Sequence, residues 1–149
     1  MSDADLVAML NAHRGGFNEA LGLTFVRASA TEVVGEIATG PAHTQPYGIL
    51  HGGVHCALAE TLASTGAAIV AMADGKHVVG LENTTSFLRA CRGGVLRGTA
   101  RPLVTGRRSQ VWEVEIREGE RLVAQSRVRA LVLEPDAELA GRRVGFESG

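Results

Sequence analysis

A sequence this poor in rings has few to line a ligand pocket: one Trp, one Tyr and four Phe make up 4% of its 149 residues. Cysteine is nearly as scarce. Cys56 and Cys91 stand in apolar or strand-like contexts without CxxC spacing, so buried, reduced thiols and a cytoplasmic setting are expected. No charge of either sign is in excess. A net charge of −1 supplies no field that would gather nucleic acid or an anionic membrane. Neither a P-loop nor a GxGxxG run occurs. The opening Met-Ser-Asp-Ala-Asp is acidic and no apolar run follows it, which predicts no secretory leader.

What is present is a 45% hydrophobic chain whose length suits a single domain with a real core, expected over residues 1–149. Its most distinctive stretch runs from Gln45 to Ser64 (QPYGILHGGVHCALAETLAS). From Val54 to about Met72 the residues are almost all apolar or small, with no proline. That composition predicts a helix buried on most sides. At ~1.5 Å per residue, about twenty residues make a rod roughly 30 Å long. Its Ala, Thr and Ser content, with His55 and Glu60 inside it, argues against a membrane span.

Around this helix the chain reads in order. Asp3–Ala12 has the pattern of a short amphipathic helix, broken by Gly15-Gly16. Phe17–Leu21 is a second helical piece ended by Gly22, so residues 1–20 form a helical N-terminal segment. Leu23–Ala28 and Glu32–Ala38 are β-like runs about a polar turn, hence a hairpin. A loop with two prolines, Gly40–Tyr47, delivers Gln45 to the helix start. Beyond the Asp74-Gly75-Lys76 turn come four candidate strands, Val78–Cys91, Val95–Val104, Ser109–Arg117 and Leu122–Leu133, separated by short glycine-bearing turns. Such turns demand antiparallel pairing. An α+β chain of one antiparallel sheet and one long apolar helix buries both by wrapping the sheet around the helix. Residues 134–149 are a polar tail expected to fray.

Two features break the blandness of the long helix. Gly52-Gly53 at its start allows a close backbone approach, and the unpaired N–H groups there favour an anion or oxyanion. Glu60 lies eight residues beyond Gly52, ~12 Å along the same rod. Among Ala57, Leu58, Ala59, Leu62 and Ala63 it is expected to be buried, and a buried carboxylate needs a reason. It cannot easily reach a carbonyl held at its own helix start, whereas a neighbouring subunit's helix start could approach it. A site using both features therefore predicts an oligomer. Ser64, one turn further on, could position the carboxylate or a water. Blander readings exist for each: a solvated helix Glu, glycines that only permit a tight helix entry, a loop Gln. His51 and His55 are four apart, but a zinc helix of HExxH type needs Glu where Gly52 stands, so no metal is expected. His55 reads as packing.

Taken together, Gln45, His51-Gly52-Gly53, Glu60 and Ser64 at these spacings resemble the hot-dog-fold acyl-CoA thioesterases of the PaaI-like type. The closest pattern is that of the Arthrobacter-type 4-hydroxybenzoyl-CoA thioesterases, over about Leu21 to Leu133. The resemblance implies the hot-dog fold, dimers often paired into a homotetramer, and hydrolysis of an acyl-CoA to acid and CoA without metal or redox cofactor. It also implies roles. The Gly52 N–H would polarise the thioester carbonyl, Gln45 would add a donor, and His51 would orient the loop or line the pocket. Glu60 would act as general base or as nucleophile. Ser64 stands where threonine is typical, which keeps the hydroxyl. Arg89, Arg107 and Arg108 match positions near the CoA phosphates, where bidentate contacts suit the ligand. Coenzyme A would enter only as part of the substrate. Rival readings are a hot-dog hydratase or dehydratase, and a non-catalytic acyl-CoA binder. Phenylacetyl, hydroxybenzoyl, dihydroxynaphthoyl and medium-chain acyl groups all fit the sequence.

Overall fold

The computed structural model describes residues 1–145. Helices α1 (Asp3–Ala12) and α2 (Gly16–Leu21) precede the hairpin of β1 (Leu23–Ala28) and β2 (Val33–Ala38). A 3-10 turn at Pro41–His43 lies in the loop to the long helix α3 (Gly52–Met72). Strands β3 (His77–Phe87), β4 (Val95–Thr105), β5 (Ser109–Glu118) and β6 (Arg121–Leu133) follow. The six strands form one antiparallel sheet in the order β1-β2-β4-β5-β6-β3, curled around α3 as the hot-dog fold requires. Because β3 crosses to the far side of β6, it becomes an edge strand, and α3 spans the sheet from β2 to that edge.

Alternation sets the inner face. Gln110, Trp112, Val114 and Ile116 of β5 are buried, while Val111, Glu113 and Glu115 between them are only half-buried. On the outer face, cross-strand ion pairs such as Arg97–Glu36 and Arg129–Glu82 absorb several arginines. Solvated pairs of this kind contribute little to stability.

Small residues let α3 sit low in the sheet. Gly35 of β2 and Gly98 of β4 are register partners, and together they make a notch for Leu62. A Cβ on Gly35 would stand 2.7 Å from Leu62 Cδ2, and one on Gly98 2.6 Å from Leu62 Cδ1. One turn on, Gly66 lies against the Trp112 ring. That ring is anchored, since Trp112 Nε1 donates to Gln110 Oε1 at 2.9 Å and Gln110 Nε2 donates to the Ala67 carbonyl at 3.1 Å. α3 is long and apolar enough to cross a membrane by length and composition, but it is this domain's core helix.

Several expected boundaries are corrected. α3 begins at the expected glycine pair: His51 caps it and both glycines join its first turn. β3 ends at Phe87 instead of Cys91: the Leu88 and Arg89 amides both turn to the Val123 carbonyl, and the ladder stops. α1 carries no buried residue; Val7 and Leu10 lean on the core, and Asn11 docks the helix by bonding both the N–H and the C=O of Phe25. The tail was expected to fray, yet it forms a small hairpin, β7 (Glu138–Leu139) with β8 (Arg142–Arg143). Residues 146–149 of that tail lie outside the described residues. Cys91 is buried as expected, whereas Cys56 is only half-buried; both are free thiols.

Gly66→Ala tests the close approach. Alanine gains ~1 kcal/mol of helix propensity over glycine. The new Cβ would meet Trp112 at 2.4 Å, and the anchored ring cannot retreat. Overpacking of this kind costs about 1–3 kcal/mol, so a net loss of stability is expected from urea unfolding. A variant as stable as the parent would show that the helix can move away from β5.

Candidate active site

The loop before α3 is built to hold Gln45 and His51. Gln45 N–H donates to the Ile49 carbonyl at 2.9 Å, and Gly48 N–H donates back to the Gln45 carbonyl at 2.9 Å. Gly48 takes a φ of +72°, which glycine allows without strain. The Leu50 and His51 amides are tied to the carbonyls of Cys91 and His43. Gln45 Oε1 accepts from the Tyr47 N–H, which leaves the side-chain NH2 as the free end. His51 is the N-cap of α3: its Nδ1 accepts from Gly53 N–H at 2.8 Å, and its carbonyl accepts from Val54 N–H.

That capping spares one donor. The Gly52 N–H has no partner among the described residues, although it opens a 21-residue helix whose dipole favours negative charge there. Gly52 must be glycine for a contact reason as well, because a Cβ would lie 2.8 Å from the Phe87 ring. Gln45 and Gly52 border two cavities. One, of about 470 Å³, is lined by Gln45, Pro46, Tyr47, His51 and Gly52. The other, of about 360 Å³, reaches over Ile49, His55, Phe87, Leu88 and Arg89. The structure thus brings together Gln45, His51, Gly52 and Arg89. Arg89 itself donates to the Leu122 carbonyl at 2.8 Å.

Glu60 is elsewhere. It is half-buried and turned towards the β3 edge, not enclosed by the core as its neighbours in sequence suggested. The correction has a plain cause: α3 buries the stripe that includes Leu58, Ala59, Leu62 and Ala63, and Glu60 stands beside that stripe. Ser64 Oγ donates to Glu60 Oε1 at 3.1 Å, as the one-turn spacing predicts. Asn83 Nδ2 donates to Glu60 Oε2 at 3.1 Å. A Cβ on Gly80 would fall 2.5 Å from Glu60 Oε1. Sequence reasoning missed Asn83 and Gly80. The available signal was an Asn inside a strand run, where that residue is depleted.

Arg107 and Arg108 are exposed in the β4–β5 turn, at the opposite end of the sheet from Arg89. Ser109 pairs with Leu131 and Leu131 with Val79, whereas the helix start lies beside Phe87. Eight residues of β3 separate those levels, ~26 Å. Within one chain these arginines and Arg89 cannot grip one ligand end. No cluster of three His, Cys, Asp or Glu side chains occurs among the described residues.

An antiparallel sheet curled around one central helix is the hot-dog fold. Residues 47–125 match the Thioesterase superfamily, and the chain belongs to that family. The proofreading thioesterase EntH of Cronobacter sakazakii is 40% identical over 102 residues, 68% of this chain and 74% of that protein. A thioesterase structure from Haemophilus influenzae superposes with a TM-score of 0.79 at 30% identity, covering 91% of this chain and 92% of that one. A mutant thioesterase from Pseudomonas aeruginosa gives 0.80 at 26% identity over 85% and 93%. The protein is accordingly a thioester hydrolase by family.

His55 lines the second cavity and is 4% exposed, packed against Phe87 at 6.0 Å between ring centroids. Its Nδ1 has no partner among the described residues, and burial lowers its pKa from the ordinary 6.5. A histidine depressed in the folded state binds its proton more readily when unfolded. It costs nothing well above pH 6.5, and stability falls as pH drops through 6.5 towards the folded value. Replacing it by a ring that does not titrate, His55→Phe, should flatten the fall in Tm between pH 7.5 and 5.5. An unchanged slope would assign the acid sensitivity to other groups.

Proposed function

We propose that the protein is an acyl-CoA thioesterase whose active sites are shared between two subunits. The observation that carries this reading is the separation of the two halves of the chemistry. A free N–H at Gly52 and the Gln45 amide offer donors at the cavities, while Glu60 is ~12 Å along the same rigid helix. Both must lie within a few ångströms of one carbonyl carbon to act on it. Two copies with their α3 helices antiparallel satisfy that requirement, with Glu60 of the partner subunit facing the Gly52 end. The unpaired backbone of the 11-residue edge strand β3, which exposes Leu81 and Phe87, supports such a dimer. A pair of such dimers would make the tetramer.

In this reading the Gly52 N–H and the Gln45 NH2 bind the thioester oxygen and stabilise the oxyanion as it forms. Glu60 either takes a proton from a water that attacks the carbonyl carbon, or attacks that carbon itself to give an anhydride that water opens. In both routes the C–S bond breaks, the electron pair leaves on sulfur, and the proton from water ends on the CoA thiol. Ser64 holds the carboxylate. The antiparallel arrangement also turns Arg107 and Arg108 of one chain towards the side on which the partner's helix starts. There they would join Arg89 around the CoA phosphates. Both cysteines are free thiols, which supports a cytoplasmic setting.

A thiol-release screen over aromatic and aliphatic acyl-CoAs tests the activity, and two variants test the shared site. Glu60→Gln should lose roughly 10²–10⁴-fold in kcat while folding normally. Gly52→Val, which collides with Phe87, should be equally poor. Mixed under subunit exchange, the two inactive proteins should regain partial activity, since one of the two sites then has both groups intact. No recovery despite verified exchange would sink the shared site.

A separate measurement addresses the arginines. Losing both side chains in Arg107→Ala/Arg108→Ala should raise KM for acyl-CoA and spare short thioesters that lack the nucleotide. Equal damage to both substrates would remove these residues from CoA binding.

A further inference from the structure

Glu60 is the one carboxylate on α3, and it is held from the far side by a chain of groups on β3 and β6. Period-two alternation turns Asn83 and Thr85 inward towards the helix, while Thr84 and Ser86 stay exposed. Asn83 Nδ2 uses both hydrogens, one on the Cys56 carbonyl at 3.0 Å and one on Glu60 Oε2 at 3.1 Å. Both partners only accept when the carboxylate is ionised, so the amide nitrogen must face them and Oδ1 must face away. Oδ1 accepts from Thr85 Oγ1 at 2.7 Å. That commits the single Thr85 hydrogen. The 2.8 Å contact between Thr85 Oγ1 and Ser126 Oγ is therefore donated by Ser126, the cross-strand partner of Thr85, which is 2% exposed.

The direction of every bond in this chain is thus determined: Ser126 to Thr85, Thr85 to Asn83, Asn83 to Glu60. Aligned donors of this kind polarise one another in a half-buried setting. A second, independent feature lies at the other oxygen. Gly80 sits at the irregularity of β3, where the pairing with β6 shifts between Gly80 and Glu82, and it leaves open the space that Glu60 Oε1 fills. With Ser64 on that same oxygen, the carboxylate has one seat, made of two donors and one missing side chain.

We propose that Asn83 is a positioning residue for Glu60, fixed in its own orientation by Thr85 and Ser126, and that Gly80 keeps clear the place the carboxylate occupies. This rests on the reading of Glu60 as the acting group. It adds that the aim of Glu60 comes from the edge strand as well as from its own helix. A chain without this seat would carry the same Glu60 on the same helix turn with its oxygens free to swing.

Gly80→Ala is the cleanest test. The backbone there is not in the left-handed region, and the new methyl meets only the end of the flexible Glu60 side chain. The fold should persist and the carboxylate should shift. Displacements near 1 Å cost ~10²-fold in rate, so kcat should fall on that order with KM within about twofold. Asn83→Leu should act in the same sense. Thr85→Val, which keeps shape but loses the hydroxyl, should lower kcat, whereas Thr85→Ser should restore it. The side-chain carboxyl carbon of Glu60, assigned by its absence in Glu60→Gln, gives a ¹³C readout independent of turnover. It should move in Asn83→Leu and Thr85→Val and stay in place in Thr85→Ser. Wild-type kcat in Gly80→Ala and Asn83→Leu, beside a dead Glu60→Gln, would overturn the positioning role and leave the thioesterase reading intact. A carboxyl resonance unmoved by Asn83→Leu would overturn it whatever the rates. Wild-type protein inert towards every thioester would sink the thioesterase reading, and the resonance would still decide whether Asn83 seats Glu60.

Discussion

Leu62 rests in a notch made by two glycines that face each other across β2 and β4, and the position of α3 follows from that contact. A side chain at either glycine would lift the helix, and interiors packed to crystal-like density do not absorb such a shift without strain. With α3 held low, Gly66 meets Trp112, the helix start meets Phe87, and Glu60 reaches the carboxylate seat on β3. Packing at the middle of the helix thus sets the geometry at both chemically useful points.

The two ends of that chemistry are opposite in character. At the helix start, capping satisfies the Gly53 and Val54 amides through His51 and leaves Gly52 N–H without a partner among the described residues. Eight residues on, Glu60 is surrounded by donors that accept no proton from it and give none up. In the proposed mechanism, a preorganised donor and carboxylate would need no rearrangement as charge develops. A rigid rod also forbids them to meet within one chain.

Much of this was legible beforehand because the signals were local. Glycine-bearing turns gave the strands to within a few residues, since a tight turn constrains only its neighbours. The spacing of Glu60 and Ser64 placed one hydrogen bond correctly, because i and i+4 share a helix face in any helix. The errors share a cause. Glu60 among alanines and leucines looked buried, but burial depends on which face meets the sheet, and the stripe's width is set by the packing partner. β3 looked longer than it is because its end depends on two amides turning to Val123, a residue far off in the chain.

By itself, then, the amino-acid order determined the α+β class, the glycine start of the long helix, the carboxylate one turn before a hydroxyl, and the membership of a thioesterase-like pattern, all of which are carried by residues close in sequence. Only the tertiary structure decided that β3 lies at the sheet edge beside β6, and that Asn83, Thr85 and Ser126 form a hydrogen-bonded chain ending on Glu60. It alone showed that Arg107 and Arg108 stand at the far end from Arg89. Strand order and register are choices among pairings of similar local cost. They are settled by which arrangement buries the helix, and no stretch of sequence read alone contains that comparison.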